Sequence, residues 1–408
     1  MKNSIRRGLL AIVLSLTAGS CLLPAQTVDR RHLSVEAYAR GNDFWRKDIR
    51  NNLLDTHISG LVGVAAGLTT LPEDGNWYEW AYNYPTFGIG LSHDFAGLLQ
   101  GKAYLPKDYS NTPVDSRLGD IVNLYGWAQF DWIRTRAFRF GPAIELGLAY
   151  SDICHDYKNN PGNRYIGSHV FFDVGFGLHA ECFLTPQWAL TGGLYATHHS
   201  NAMHTARNAG TDELSLSLGA RYYLTPVQFT PRPAASPDRP EYPKGLHLQV
   251  SAAAGVLSFF DEQDAYDVNR RPGRRAPARP RVVLCTELVW RYSPVSATGV
   301  GVEGGWSDNS YWMTDVLKTG REDDPDNYSP YHVGVYLTQE IHYRQISAHV
   351  IVGKYLSKRT GLADRFGPVL KKVGMRYQFA RLGGLFAGVD LRDTRRGLNL
   401  EWSLGYRF

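Results

Sequence analysis

Apolar and polar residues alternate one by one along much of this chain. In residues 168–184 one parity carries Val170, Phe172, Val174, Phe176, Leu178, Ala180, Cys182 and Leu184, and the other carries His169, Asp173, Gly175, Gly177, His179 and Glu181. Residues 121–133 set Val122, Leu124, Ala128, Phe130 and Trp132 against Asn123, Gln129 and Asp131. Residues 138–150 set Phe140, Ile144, Leu146 and Leu148 against Arg139 and Glu145. In residues 281–292, Val282, Leu284, Leu288 and Trp290 oppose Cys285, Glu287 and Arg291. The last run places Leu398, Leu400, Trp402, Leu404, Tyr406 and Phe408 against Asn399, Glu401, Ser403 and Arg407. A period of two is the signature of β-strands, whose successive side chains point to opposite faces. Several of these runs reach 11 residues or more. An ordinary soluble strand has about 5 to 6 residues, and a tilted membrane strand needs roughly 9 to 11. The pattern predicts an all-β fold, a transmembrane antiparallel β-barrel with one face toward lipid and a polar face toward a lumen.

The links between strands support this. Residues 184–187, 293–297, 344–345 and 381–384 are short links, whereas residues 150–167, 308–330 and 357–369 are long. Bacterial barrels have short periplasmic turns and long outer loops. The alternation of link lengths breaks at the Pro-rich residues 226–245. About 16 strands are expected if residues 33–40 and 58–69 belong to the barrel, and about 14 otherwise. One large barrel is the first expectation. The alternative is two eight-stranded barrels or halves in tandem: residues 26–225, a connection over 226–245, and residues 246–408. The aromatic end at Phe408, with Tyr406 two residues before it, resembles the C-terminal signal read by the barrel-assembly machinery.

Residues 1–25 read as an export signal. Lys2, Arg6 and Arg7 precede an apolar run too short to span a bilayer, and small residues follow. Cleavage is expected near Ala25; Ala18-Gly19-Ser20-Cys21 only faintly resembles a lipoprotein box. Beyond this segment no stretch approaches the roughly 18 to 20 apolar residues of a membrane helix. Loss of the three signal cations lowers the formal charge from +5 to +2, which is no argument for a nucleic-acid partner. Cys154, Cys182 and Cys285 have no metal or redox spacing. The 24 Tyr and 10 Trp residues suit membrane interfaces, so composition agrees with the cell outer membrane.

The densest polar group is Thr197-His198-His199-Ser200-Asn201-Ala202-Met203-His204, at the end of a strand starting near Trp188. Trp188, Leu190, Leu194 and Ala196 share a parity with His198 and Ser200, and Leu214, Leu216 and Leu218 share one with Asp212. These parities put an imidazole, a hydroxyl and a carboxylate on the lipid side of adjacent strands. Nucleophilic acyl transfer needs that set. The bland reading is a polar strand end at headgroup level.

Here the residues resemble a family. His198-His199-Ser200-Asn201-Ala202, then the turn Asn208-Ala209-Gly210 and the acid Asp212, look like the H-x-S-N motif, turn and acid of the PagL-like lipid A 3-O-deacylases. Residues 84–91 and 147–150 add to the match, which is best over about 84–225; the C-terminal half resembles only longer, Bacteroidota-like members. The resemblance implies His198 as general base, Ser200 as nucleophile and Asp212 as orienting acid, with Glu213 the alternative acid. It also implies backbone amides of Asn201 and Ala202 as the oxyanion cradle. Three departures stand out: the family acid is often Glu, Met203 replaces a small Gly, and Arg207 replaces Pro.

Other features carry less. Arg270-Arg271-Pro272-Gly273-Arg274-Arg275 with Arg279 and Arg281 forms a basic segment expected on the outside, near lipopolysaccharide phosphates. The acidic residues 323–327 lack EF-hand spacing. His169, His179, Asp173 and Glu181 are expected in the lumen. Two functions follow: a serine esterase acting on lipid A of lipopolysaccharide, with no cofactor or metal, or a non-catalytic barrel serving as channel or scaffold.

Overall fold

The computed structural model describes residues 32–45, 57–73, 75–104, 113–156, 159–205, 208–258, 277–308, 329–358, 368–394 and 397–408. The expected signal segment and Cys21 lie outside the described residues. Among these residues no helix is long and apolar enough to cross a membrane, and the fold is built from strands. In chain order they are β1 (His32–Phe44), β2 (Ile58–Thr69), β3 (Thr86–Asp94), β4 (Gln100–Tyr104), β5 (Pro113–Arg117), β6 (Ile121–Gln129), β7 (Ile133–Arg134), β8 (Phe138–Ser151), β9 (Val170–Phe183), β10 (Trp188–Ser200) and β11 (Thr211–Tyr223). After residues 224–244 come β12 (Gly245–Leu257), β13 (Arg279–Ser293), β14 (Ser296–Ser307), β15 (Tyr331–Tyr343), β16 (Ile346–Lys358), β17 (Val369–Gln378), β18 (Leu385–Thr394) and β19 (Gly397–Arg407).

Two barrels result. The first runs β6-β3-β2-β1-β11-β10-β9-β8 and closes where β6 pairs with β8; β4 and β5 pair apart, and the short β7 pairs with the start of β8. The second runs from β12 to β19 in up-and-down order and closes where β19 meets β12. The single large barrel is therefore corrected to the tandem alternative. The reason is one long-range pairing: β11 returns to β1, with Ser34 opposite Tyr223 and Ala37 opposite Ala220, before the chain enters the Pro-rich link. Strand alternation is identical for one barrel of sixteen strands or two of eight, so local pattern carries no information on closure.

An eight-stranded barrel is just wide enough to be filled by its own side chains, and here charged ones fill it. In the first barrel Arg221 pairs with Glu36 (2.5 Å) and with Glu181, Arg40 pairs with Glu145 (2.5 Å), and Arg139 with Asp131 (2.7 Å). The phenols of Tyr38 and Tyr125 bond to each other across it. The internal space beside them is about 20 Å³, room for one water at most. In the second barrel Arg392 bridges Glu303 (2.7 Å) and Glu401 (2.6 Å), and Arg376 and Arg407 converge on Glu340 at 2.9 and 2.7 Å. Burying so many charges is tolerable only because each of these meets an opposite partner. The outward parity is apolar: Leu190, Leu194, Leu214, Leu216 and Leu218 on one barrel, and Leu284, Leu288, Trp290 and Leu337 on the other, are all exposed. A wall like this would associate in water and is a natural contact surface for acyl chains.

The barrels touch at one end through a short helix, α1 (Trp77–Ala81). Asn76 caps it, accepting from the N–H groups of Tyr78 (2.9 Å) and Glu79 (3.3 Å), and a Glu79 carboxylate oxygen accepts from the Asn76 N–H at 3.3 Å. The other Glu79 oxygen accepts from Tyr343 Oη (2.9 Å) and from Arg344 (2.7 Å) in the β15–β16 turn. Tyr82 Oη adds a bond to the His342 carbonyl at 2.7 Å.

Candidate active site

The register of β10 and β11 sets His198 directly opposite Asp212. His198 Nδ1 lies 2.7 Å from Asp212 Oδ1, and each side chain is 30% exposed. For a neutral imidazole this contact puts the proton on Nδ1 and leaves Nε2 as an acceptor. One residue further along, the parity reverses and the surroundings change. His199 points inward, with Nδ1 3.0 Å from Glu213 Oε1 and 3.1 Å from Thr211 Oγ1, and Nε2 3.5 Å from Asp173. Asn42 ties Glu213 (3.2 Å) to Asp94 (2.6 Å) in the same network. Glu213 thus engages the lumen histidine, and Asp212 is the carboxylate within reach of His198.

Ser200 closes β10, opposite Phe172. Its Oγ accepts from the Ala202 N–H at 3.1 Å and lies 2.9 Å from the Asn208 amide. When that amide turns its nitrogen to the Tyr165 carbonyl (3.2 Å), its oxygen accepts from the Ser200 hydroxyl and from the Asn201 N–H at 3.0 Å. Among the described residues no bond joins Ser200 to His198. The fold therefore brings His198, Ser200 and Asp212 to one rim, with the His–Asp contact made and the hydroxyl held by Asn208. Of the two expected cradle amides, that of Ala202 faces Ser200 Oγ, and that of Asn201 faces Asn208.

The turn after Ser200 is strained. Ala202 (φ 53°) and Met203 (φ 64°) are both left-handed, a conformation costing about 1–2 kcal/mol for a residue with a side chain. This gives a physical reason for a small Gly at position 203: glycine adopts that backbone freely. Gly210, on the other arm, has φ 75°, and a Cβ there would stand 2.7 Å from the His199 carbonyl oxygen and 2.8 Å from His198 Cε1. The loop between β8 and β9 secures this arm, as the N–H groups of Ala209 and Gly210 donate to the carbonyls of Arg164 (3.0 Å) and Tyr165 (3.1 Å). Asn201 Nδ2 reaches Thr205 Oγ1 (2.5 Å) and Ser168 Oγ (3.1 Å).

The remaining expectations divide. His179, Asp173 and Glu181 are buried in the lumen, whereas His169 is exposed at the rim, with Nδ1 2.8 Å from the Ser151 carbonyl. Arg207, the basic residues 270–275 and the acidic residues 323–327 lie outside the described residues. Arg281 does not belong to an outer basic surface: it turns into the second lumen, 3.3 Å from Glu401, and Arg279 pairs with Asp308 at 3.4 Å. Parity explains the difference, since Arg281 shares its face with Cys285 and Glu287. In the sequence Asn208 stands out only as a turn residue; nothing local signals that its amide meets Ser200 eight positions earlier.

Two family models cover most of the chain. Residues 74–221 match "Lipid A 3-O-deacylase (PagL)", and residues 247–408 match "Acyloxyacyl hydrolase, C-terminal domain". The chain belongs to the PagL family of lipid A deacylases. The first match ends inside β11 and so includes the whole of the β10–β11 rim; the second spans the C-terminal barrel from His247 of β12 onward. A PagL-type protein is a hydrolase, and its barrel fold is consistent with the outer membrane. No curated protein matches the chain. Among solved structures, two engineered mutants of the Rhodopseudomonas blastica porin each align over 92% of this chain and 100% of their own at 10% identity, with TM-scores of 0.17 and 0.16. Nothing about this chain follows from scores so low.

Proposed function

We propose that the protein is an outer-membrane serine esterase that hydrolyses an ester-linked acyl chain of lipid A. The observation that carries this reading is the His198–Asp212 pair at 2.7 Å, set on the lipid-side parity of β10 and β11 beside Ser200. Polar groups on a lipid-facing wall are costly unless they have a task there. An acyl ester of a lipid would reach such a rim laterally, with its chain along Leu190, Leu194, Leu214 and Leu216.

In the reaction Ser200 exchanges Asn208 for His198 Nε2 as the acceptor of its proton. Oγ attacks the ester carbonyl, the proton passes to Nε2, and Asp212 stabilises the imidazolium through Nδ1–H. The Ala202 N–H, 3.1 Å from Oγ, is near enough to donate to the substrate's carbonyl oxygen once Oγ bonds the carbonyl carbon, and the Asn201 N–H, released from Asn208, can join it. His198 then protonates the sugar oxygen as the C–O bond breaks, leaving an acyl-Ser200 ester. Water, deprotonated by His198, attacks that ester, and the fatty acid leaves as Ser200 regains its proton. The competing reading, a channel, is disfavoured by lumens packed with ion pairs.

Mass spectrometry of lipid A from cells making wild type or Ser200→Ala tests this. Wild-type cells should yield lipid A short of one ester-linked chain, and Ser200→Ala cells the intact lipid. Identical, fully acylated lipid A from both under several growth conditions would sink the esterase reading.

A further inference from the structure

The turn bearing Ala202 is held by both barrels. Ser258 follows β12 of the C-terminal barrel and is 1% exposed. Its N–H donates to the Met203 carbonyl at 2.7 Å and its hydroxyl donates to the His204 carbonyl at 2.8 Å. One residue of the second barrel therefore grips two consecutive carbonyls of the left-handed turn in the first. From within, the turn is closed on the Asn201 carbonyl by the His204 N–H (3.1 Å) and by His204 Nδ1 (2.8 Å). The bonds from Ser258 act at the far side of the two strained residues.

Those two residues, Ala202 and Met203, lie between the Ala202 N–H and the gripped carbonyls. Their φ and ψ angles decide where that N–H points. Relaxation of either one toward the favoured right-handed or extended regions would swing the Ala202 amide away from Ser200 Oγ. Met203 has no glycine-like freedom to stay left-handed by itself, so an external hold is needed where a glycine would need none.

We propose that Ser258 is a positioning residue for deacylation, through which the C-terminal barrel completes the active site by holding the 201–204 turn with the Ala202 N–H on Ser200. This rests on the esterase reading above. It also gives the second barrel, whose lumen is filled and whose outer wall has no comparable triad among the described residues, a direct part in the chemistry.

The test uses the full-length protein in detergent micelles with purified lipopolysaccharide, reading released fatty acid at varied substrate concentration. Ser258→Ala removes the hydroxyl donor and keeps the N–H; Ser258→Thr keeps both; Ser258→Ala with Met203→Gly supplies a turn that needs no hold. The expected result is a kcat about tenfold lower in Ser258→Ala, as loss of one hydrogen bond in the reacting geometry implies, with KM within about twofold. Ser258→Thr should approach wild type, and adding Met203→Gly should recover most of the loss. A kcat for Ser258→Ala within about twofold of wild type overturns the proposal. So does a loss matched by the fraction of unfolded protein on heat-modifiability gels, or a double variant no better than the single. A Ser200→Ala control separates the two readings. If it releases as much fatty acid as wild type, the esterase reading fails and takes this proposal with it. If it is inactive while Ser258→Ala is normal, only the role of Ser258 is lost.

Discussion

The N-terminal barrel interrupts its lipid wall with a histidine–carboxylate pair beside a serine, whereas the C-terminal barrel exposes an ion pair of Lys371 with Asp393 at 3.1 Å. Along β10 and β11 the outward parity reads Leu190, Leu194, Leu214, Leu216, Leu218 and then, at one rim, His198, Ser200 and Asp212. Along β13 it reads Val282, Leu284, Thr286, Leu288 and Trp290 with no ionisable group. The interiors show no such contrast, for both are filled by arginine–carboxylate pairs. What differs is the chemistry of the outer pair: an imidazole and a carboxylate beside a hydroxyl on one barrel, a lysine and a carboxylate on the other. Buried charge inside an eight-stranded barrel is packing material that holds the wall open and satisfied. A paired imidazole and carboxylate on the outside has no packing role, and the proposed esterase reaction gives His198 and Asp212 a chemical one.

The largest expected effect breaks the comparison at the rim itself. Asp212→Asn should lower kcat by about 10⁴-fold, as replacing the orienting carboxylate of a serine triad does, with unfolding unchanged. Glu213→Gln, one residue along but facing inward, should cost less than about tenfold. The reverse order in purified-enzyme kinetics would make Glu213 the acid. A smaller effect belongs to the second barrel. Arg392→Met leaves Glu303 and Glu401 without their shared guanidinium and should lower stability by about 3–5 kcal/mol, read by urea unfolding in lipid vesicles, while activity per folded molecule is kept. Retained stability would mean that Lys372, 2.7 Å from Glu303, and Arg281, 3.3 Å from Glu401, suffice without it. The smallest effect expected is none: planar bilayers containing the protein should carry no steady ionic current, because both lumens are filled. Discrete, reproducible openings would return the channel reading.

Much of the architecture was legible in the chain. Period-two runs around Phe172, Ile144, Leu288 and Leu404 identified strands long enough for a membrane, and the runs around residues 33–40 and 58–69 belong to the barrel as β1 and β2. Parity also separated His198 from His199 and Asp212 from Glu213, a distinction that the contacts repeat. Barrel number showed only in the Pro-rich break at residues 226–245, which left two barrels as the alternative, since closure turns on β11 finding β1 across a long stretch of chain. The company kept by Ser200 was not legible: Asn208 looks like an ordinary turn residue, and Ser258 sits in another barrel.

By itself the sequence determined the strands, which face of each meets lipid, and which reactive side chains share that face. Those properties follow from an alternation that any two-residue window records. Tertiary structure alone decided where the sheet closes, which amide meets the Ser200 hydroxyl, and which residue grips the strained turn at Met203. Each of these depends on the meeting of distant segments, and the physical reason is that strand pairing and loop closure are long-range contacts that leave no periodic trace in the chain.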